Sequence, residues 1–267
     1  MLHSGRTLCI ILTTAFILYG CILERIFRVK EQLCEFEKKF QIEISEGFRV
    51  LLREPVMLDE DITWLAGAQP SEREYVGDEL VMTYLAEKIG APANGQYDIP
   101  VELRFVHGDQ GYLLKEGYLG KNLTDILTDE LLTQIMQSIC RSEKSLAQQK
   151  LTVDISTLTH TLLPSKADII RILGPPNRNA GDKQSLTYAY QLKNNTAMGT
   201  VAVIEIQFDR FGETILRIKL NYLRYSLVAD FQKGEAILKV DIFLDEETSQ
   251  KAPGAQLAIW LVPPQTN

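Results

Sequence analysis

The chain passes twice through the same order of landmarks, roughly 105 residues apart, and nothing else in it restricts the fold as strongly. From Cys34 it runs through Ile42-Glu-Ile-Ser45, Leu51-Leu52, Asp61-Ile-Thr-Trp-Leu-Ala-Gly67 and Pro70. From Cys140 it runs through Val153-Asp-Ile-Ser156, Leu162-Leu163, Asp168-Ile-Ile-Arg-Ile-Leu-Gly174 and Pro175-Pro176. Further on, Gly77-Asp78 answers Gly181-Asp182, Thr83-Tyr84 answers Thr187-Tyr188, and Val101-Glu-Leu-Arg-Phe105 answers Ile204-Glu-Ile-Gln-Phe208. The offset drifts only from 107 residues at Asp61/Asp168 to 103 at Phe105/Phe208. Such a period is too long for a solenoid and suits two domains.

Each copy reads as helix, strand, short helix and three antiparallel strands. Ile22, Ile26, Val29, Leu33 and Phe36 recur at helical spacing, as do Leu127, Leu131, Leu132, Ile135, Met136 and Ile139. Alternating strands follow (Phe40, Ile42, Ile44; Leu151, Val153, Ile155), then short helices ended by Gly67 and Gly174 with proline just beyond. Asp59 is the candidate N-cap of the first, and Ser165 with Asp168 forms a near capping box in the second. The expected fold class is α+β: two tandem helix-plus-antiparallel-sheet units, residues 21–120 and 121–225. A C-terminal extension, 226–267, holds a hairpin turning at Lys233-Gly234 and an edge strand at Leu257–Val262.

Residues 1–20 have the form of an export signal: His3 and Arg6, then an apolar run from Thr7 to Gly20. Leu18-Tyr-Gly-Cys21 resembles the lipobox of bacterial lipoproteins, which implies diacylglycerol on the Cys21 thiol, acylation such as palmitate, and removal of the signal. Ile22, where such proteins carry an inner-membrane retention Asp, implies sorting to the periplasmic face of the outer membrane. An uncleaved anchor stays open, because the apolar run from Thr7 to Leu23 meets the lower length limit of a span. Without the signal, the 28 basic residues lose only Arg6, so 27 face 35 acidic ones, a net charge of −8. An acidic chain without a basic run excludes nucleic acid as the expected partner. Cys9 leaves with the signal and Cys21 is taken, so Cys34 and Cys140 remain. In an oxidising compartment they are expected to pair, closing a loop between equivalent helices; two buried thiols are the alternative.

The second copy carries a family pattern. Leu162 to Pro176, Leu186-Thr-Tyr-Ala-Tyr190 and Val203-Ile-Glu-Ile-Gln-Phe-Asp209 with Gly212 resemble the SmpA/OmlA (BamE-like) lipoproteins, accessory proteins of the outer-membrane β-barrel assembly machinery. Their fold, in tandem, is also that of the β-lactamase-inhibitor proteins, which implies a sheet used for protein binding. In the first copy Ala-Gly-Ala-Gln-Pro70 stands where the pattern has Leu-Gly-Pro-Pro, and no binding residue carries over.

Chemistry-bearing motifs are lacking. His107 and His160 have no second ligand at metal spacing, and there is no His-Glu-x-x-His or Cys-x-x-Cys pattern. No Gly-x-Ser-x-Gly elbow occurs, and no serine has lysine three residues on. Gly117-Tyr-Leu-Gly-Lys-Asn122 is too tightly spaced for a phosphate loop and reads as a turn. Asp59-Glu60-Asp61 reads as a helix start, and Tyr84, Tyr188 and Tyr190 as packed strand residues. No catalytic, metal or cofactor site is therefore expected. The expectation is a non-catalytic scaffold or assembly factor that is membrane-attached through Cys21 and binds another envelope protein. An inhibitor-like or ligand-binding module and a hydrolase with a dispersed acidic site are the alternatives. Mass spectrometry of the mature N-terminus is expected to find acyl chains on Cys21; an intact Met1 would establish the anchor instead.

Overall fold

The computed structural model describes residues 22, 24–44, 47–92, 94–120, 123, 128–145, 150–158, 163–179, 184–193 and 201–240. Nearly half of these lie in strands, and over 79–84 burial alternates residue by residue, as a strand with one covered face requires. The strands are β1 (Phe40–Ile44), β2 (Gly47–Leu52), β3 (Glu72–Val76), β4 (Glu79–Lys88), β5 (Ile99–Gly108), β6 (Gly111–Gly120) and β7 (Glu143–Ser145). Then come β8 (Lys150–Asp154), β9 (Arg178–Asn179), β10 (Ser185–Leu192), β11 (Val201–Phe208), β12 (Ile215–Tyr222), β13 (Tyr225–Asp230) and β14 (Glu235–Val240). The helices are α1 (24–34), α2 (Phe36–Lys39), α3 (Asp59–Ala66), α4 (Asp129–Cys140) and α5 (Lys166–Leu173).

All fourteen strands belong to one antiparallel sheet, ordered β1-β2-β6-β5-β4-β10-β11-β12-β13-β14-β8-β7, with β3 beside β4 and β9 beside β10. The registers put Leu80, Met82, Tyr84, Phe105, Leu186, Tyr188, Tyr190, Ile206 and Phe208 on one face. These side chains are buried, and α3 and α5 pack on them through Ile62 and Ala66 and through Ile169, Ile172 and Leu173. The opposite face shows Arg49, Glu102, Arg104 and Glu116, with Arg49 Nε 2.9 Å from Glu116 Oε1 and Arg104 Nε 2.8 Å from Glu102 Oε1.

Helix α4 joins the two ends of the sheet. Thr128 caps it, its hydroxyl accepting from Leu131 N at 3.1 Å. Leu131 packs with Val153, Ile155 and Ala236 at the β14–β8 end. Further along the helix Met136, Ile139 and Cys140 pack on Leu33, Phe36, Phe40 and Leu52 at the β1–β2 end. Cys34 and Cys140 are disulfide-bonded across this contact, with Cα atoms 4.9 Å apart. Twelve strands about 4.8 Å apart would span roughly 53 Å if flat. The chain permits at most roughly 37 Å between β1 and β7, given the residues from Cys34 to Phe40 and from Cys140 to Glu143. The sheet therefore curls over its helices.

The expected class of two tandem helix-plus-sheet units with an appended extension is corrected by this topology. Residues 24–120 and 129–222 do run through a similar order of elements, but they build one sheet-dominated fold. The reason is physical: β4 and β10 would each leave an unpaired edge, and they satisfy it on one another. Lys88, Glu87 and Ala86 pair with Tyr190, Gln191 and Leu192. The hairpin β13–β14, turning at 231–234, is no appendage, since it lies inside the sheet with β14 paired to β8. Leu257–Val262 lies outside the described residues.

Replacing Cys34 and Cys140 together by serine is expected to lower stability by up to about 4–5 kcal/mol, the chain-entropy value for a loop of this length. Equilibrium urea unfolding of the oxidised protein beside the variant measures it; equal midpoints would show that the clasp does not restrain the unfolded chain.

Candidate functional site

An α-helix ends with carbonyl groups that its own backbone does not satisfy. In α3 those carbonyls are met by the two-residue β12–β13 turn. Arg224 Nη2 donates to Trp64 O at 2.6 Å, Tyr225 Oη to Leu65 O at 2.7 Å and Tyr222 Oη to Ala66 O at 2.8 Å. Leu223, at φ +49°, is the one described non-glycine residue in the left-handed region. A Cβ on Gly67, itself at φ +63°, would come within 2.6 Å of the Leu223 side chain. Glycine at the end of α3 is thus needed for both its backbone angle and the close approach.

This docking forms one wall of an open cleft of about 700 Å³, lined by Glu60, Thr63, Trp64, Gln69, Arg73 and Arg224. The Arg224 guanidinium lies 4.0 Å from the Trp64 ring centroid, a cation–π pair, and Arg224 Nε is 3.3 Å from Tyr225 Oη. Across the cleft Arg73 Nη2 donates to Asp59 Oδ2 at 2.7 Å. Asp61, 3% exposed, takes a two-pronged pair from Arg25 of α1, both bonds at 2.5 Å, and accepts from Leu58 N at 2.8 Å. Both carboxylates are therefore engaged in holding α3 in place, which leaves Glu60 as the exposed acid of the cleft. Flat aromatic and guanidinium surfaces beside amide and carboxylate groups suit the recognition of a polypeptide.

The end of α5 is satisfied differently. Lys88 Nζ donates to Leu173 O and Pro175 O, both at 2.5 Å, and Tyr188 Oη donates to Gly174 O at 3.2 Å. Lys88 is 7% exposed and lies 4.9 Å from the Tyr97 ring and 5.1 Å from the Tyr188 ring. Burial pulls its pKa below the ordinary lysine value, while the two carbonyls and two rings compensate the charge. A small apolar cavity of about 170 Å³ sits beside this group, between Tyr97, Ile99, Pro100, Leu123 and Ile172.

The residues singled out in the sequence are dispersed. Cys21 and His160 lie outside the described residues. Cys34 and Cys140 form the clasp at the sheet's ends. Asp59 is the first helical residue rather than the N-cap, a position held by Leu58. Ser165 and Asp168 do form the expected box, Ser165 Oγ accepting from Asp168 N and Ser165 N donating back to Asp168 Oδ2, both at 3.2 Å. Gly117 to Gly120 are not a turn but the end of β6. Tyr84, Tyr188 and Tyr190 are buried on the helix-covered face. Among the described residues no three of His, Cys, Asp and Glu are grouped to hold a metal ion, and no helix is long and apolar enough to cross a membrane.

Arg224 and its tyrosines belong to no sequence motif. Asn221-Tyr-Leu-Arg-Tyr225 contains none of the Gly, Asn-Gly or Pro signals that mark a turn; the bracketing tyrosines between two alternating runs are the only hint. Comparisons with family models, with curated proteins and with solved structures return no match.

Burial raises the Tyr188 pKa from 10.0 to about 12. Folding energy that depends on a protonated Tyr188 is complete below pH 10 and is lost as pH rises toward its folded value. Stability is thus expected to fall between pH 10 and 12, and Tyr188→Phe to flatten part of that slope. Urea midpoints measured across this range test it; identical slopes in both proteins would refute the assignment.

Proposed function

We propose that this chain is a non-catalytic lipoprotein of the bacterial envelope that scaffolds another envelope protein, gripping a segment of it in the α3 cleft. Cys21 attaches it to the periplasmic face of the outer membrane, as the lipobox resemblance and the residue after it suggest. The observation that carries the binding reading is the Trp64–Arg224 pair standing opposite Arg73 in an open cleft of about 700 Å³. Tryptophan and arginine are the side chains that most often dominate protein interfaces. Here the hydrogen bond to the Trp64 carbonyl and the contact with the Trp64 ring pre-order the Arg224 side chain, so little of its entropy is lost when a partner arrives. The short motifs shared with the SmpA/OmlA lipoproteins, whose place is beside other envelope proteins, support the same class of activity.

A photocrosslinking amino acid at Gln69, in the full chain in its native membrane, is expected to trap one envelope protein, and Arg224→Ala to reduce the yield at least tenfold. Capture of a soluble enzyme would replace the scaffold reading with an inhibitor, and an unchanged yield in Arg224→Ala would remove the cleft from it.

A further inference from the structure

The end of the sheet nearest the N-terminal helix carries two adjacent exposed side chains, Tyr75 and Val76, one aromatic and one apolar. The β3–β4 turn (Gly77–Asp78) and the β5–β6 turn (Asp109–Gln110) lie together there, since Val76 pairs with Glu79 and Glu79 with Val106. Tyr75 and Val76 are 62% and 56% exposed, among the largest exposures of any apolar or aromatic side chain described. The Tyr75 ring stands 5.7 Å from Tyr112, which in turn has His107 edge-on at 5.5 Å. A lone exposed apolar residue needs no explanation, but the adjacent Tyr75 and Val76 at one rim, Tyr75 leaning on the half-buried Tyr112, do.

The first described turn of α1 reaches the same end. Glu24, Arg25 and Arg28 line a groove with Asp109, Gln110 and Leu113. Arg25 is fixed there by its paired bonds to the buried Asp61. Cys21 precedes Glu24 by three residues, which span at most about 11 Å even when fully extended. A bilayer holding the chain at residue 21 is therefore kept close to this rim and away from the other end of the sheet.

We propose that this rim, with Tyr75 and Val76 at its tip, is a bilayer-contact surface that seats at the level of the lipid headgroups. The inference rests on membrane attachment through the segment ending at Cys21. Tyrosine suits that depth because its ring is apolar and its hydroxyl remains hydrated. The rim has no basic excess: Arg25 is paired with Asp61 and Arg28 with Glu24, and Asp78 and Asp109 stand beside them. The contact should therefore depend on neither anionic lipid nor ionic strength, unlike a polybasic patch. Phe211, 69% exposed, supplies an internal control. Strand β11 runs antiparallel to β10, which is antiparallel to β4, itself antiparallel to β5. The β11–β12 turn that carries Phe211 consequently lies at the opposite end from the β5–β6 turn.

The test uses the full, acylated protein in phosphatidylcholine vesicles whose acyl chains are brominated, with and without phosphatidylserine. Val76→Trp, Tyr75→Trp and Phe211→Trp are each read as the difference from the parent fluorescence. At least twofold quenching at 76 and 75, none at 211, and no change with phosphatidylserine or salt are expected. Flotation with the vesicles but equal quenching at all three positions would overturn the rim contact while leaving the attachment intact. Quenching that appears only with phosphatidylserine would overturn the aromatic seating in favour of charge. Failure to float would overturn the attachment and the contact with it.

Discussion

The continuity of the whole sheet depends on a three-residue overlap between β4 and β10. Ala86, Glu87 and Lys88 pair with Leu192, Gln191 and Tyr190, and beyond them the two strands run past each other. The remaining edge of β4 is filled by β3 and that of β10 by β9. Short cross-links hold these lanes in line: Ile89 N donates to Ala189 O at 2.9 Å, Asn177 Nδ2 to Ile89 O at 2.6 Å, and Ser71 Oγ to Lys193 O at 3.2 Å. Among the described residues the outermost lane on this side is β3, exposed along its length and blunted by the charges of Glu72, Arg73 and Glu74. The overlap also delivers Lys88 to the end of α5, so the join in the sheet and the cap of that helix are one construction.

Both covering helices are completed from a distance. The α3 carbonyls receive Arg224, Tyr222 and Tyr225, and the carbonyls at the end of α5 receive Lys88 and Tyr188. Holding Leu223 in the left-handed region costs about 1–3 kcal/mol, which the surrounding contacts must over-determine. Three hydrogen bonds and the packing of its side chain against Gly67 do so. The cleft beside Trp64 is consequently rigid on the side where Arg224 stands.

Local patterns in the sequence located local structure. The spacing of Leu131, Leu132, Ile135, Met136 and Ile139 placed α4, and Ser165 with Asp168 placed the start of α5. Alternation placed β1, β8 and the strands around Tyr84 and Tyr188. The equivalence of the two cysteines within the repeat pointed to their pairing, and they are bonded. What alternation does not encode is which strand lies next to which: it assigns Ala86 and Leu192 to a face without saying that they are neighbours. The expectation of separate units failed for that reason. The β1–β2 hairpin escaped because Gly47–Leu52 mixes Arg49 with a continuous apolar run. The cleft escaped because its key turn uses leucine and arginine where glycine or asparagine is usual.

The bonds at the end of α3 also set an order in time. Trp64 and Leu65 meet Arg224 and Tyr225 across 160 residues of intervening chain, and Cys34 meets Cys140 across 106. A polypeptide that emerges from its N-terminus can form α3 early but cannot cap it until nearly the last described strand has appeared. Until then the helix end, the cleft and the closing of the sheet all wait on the same late hairpin. Contacts of such long range make folding slow. The site assembles only in a chain that has finished folding, so partial products present no version of it.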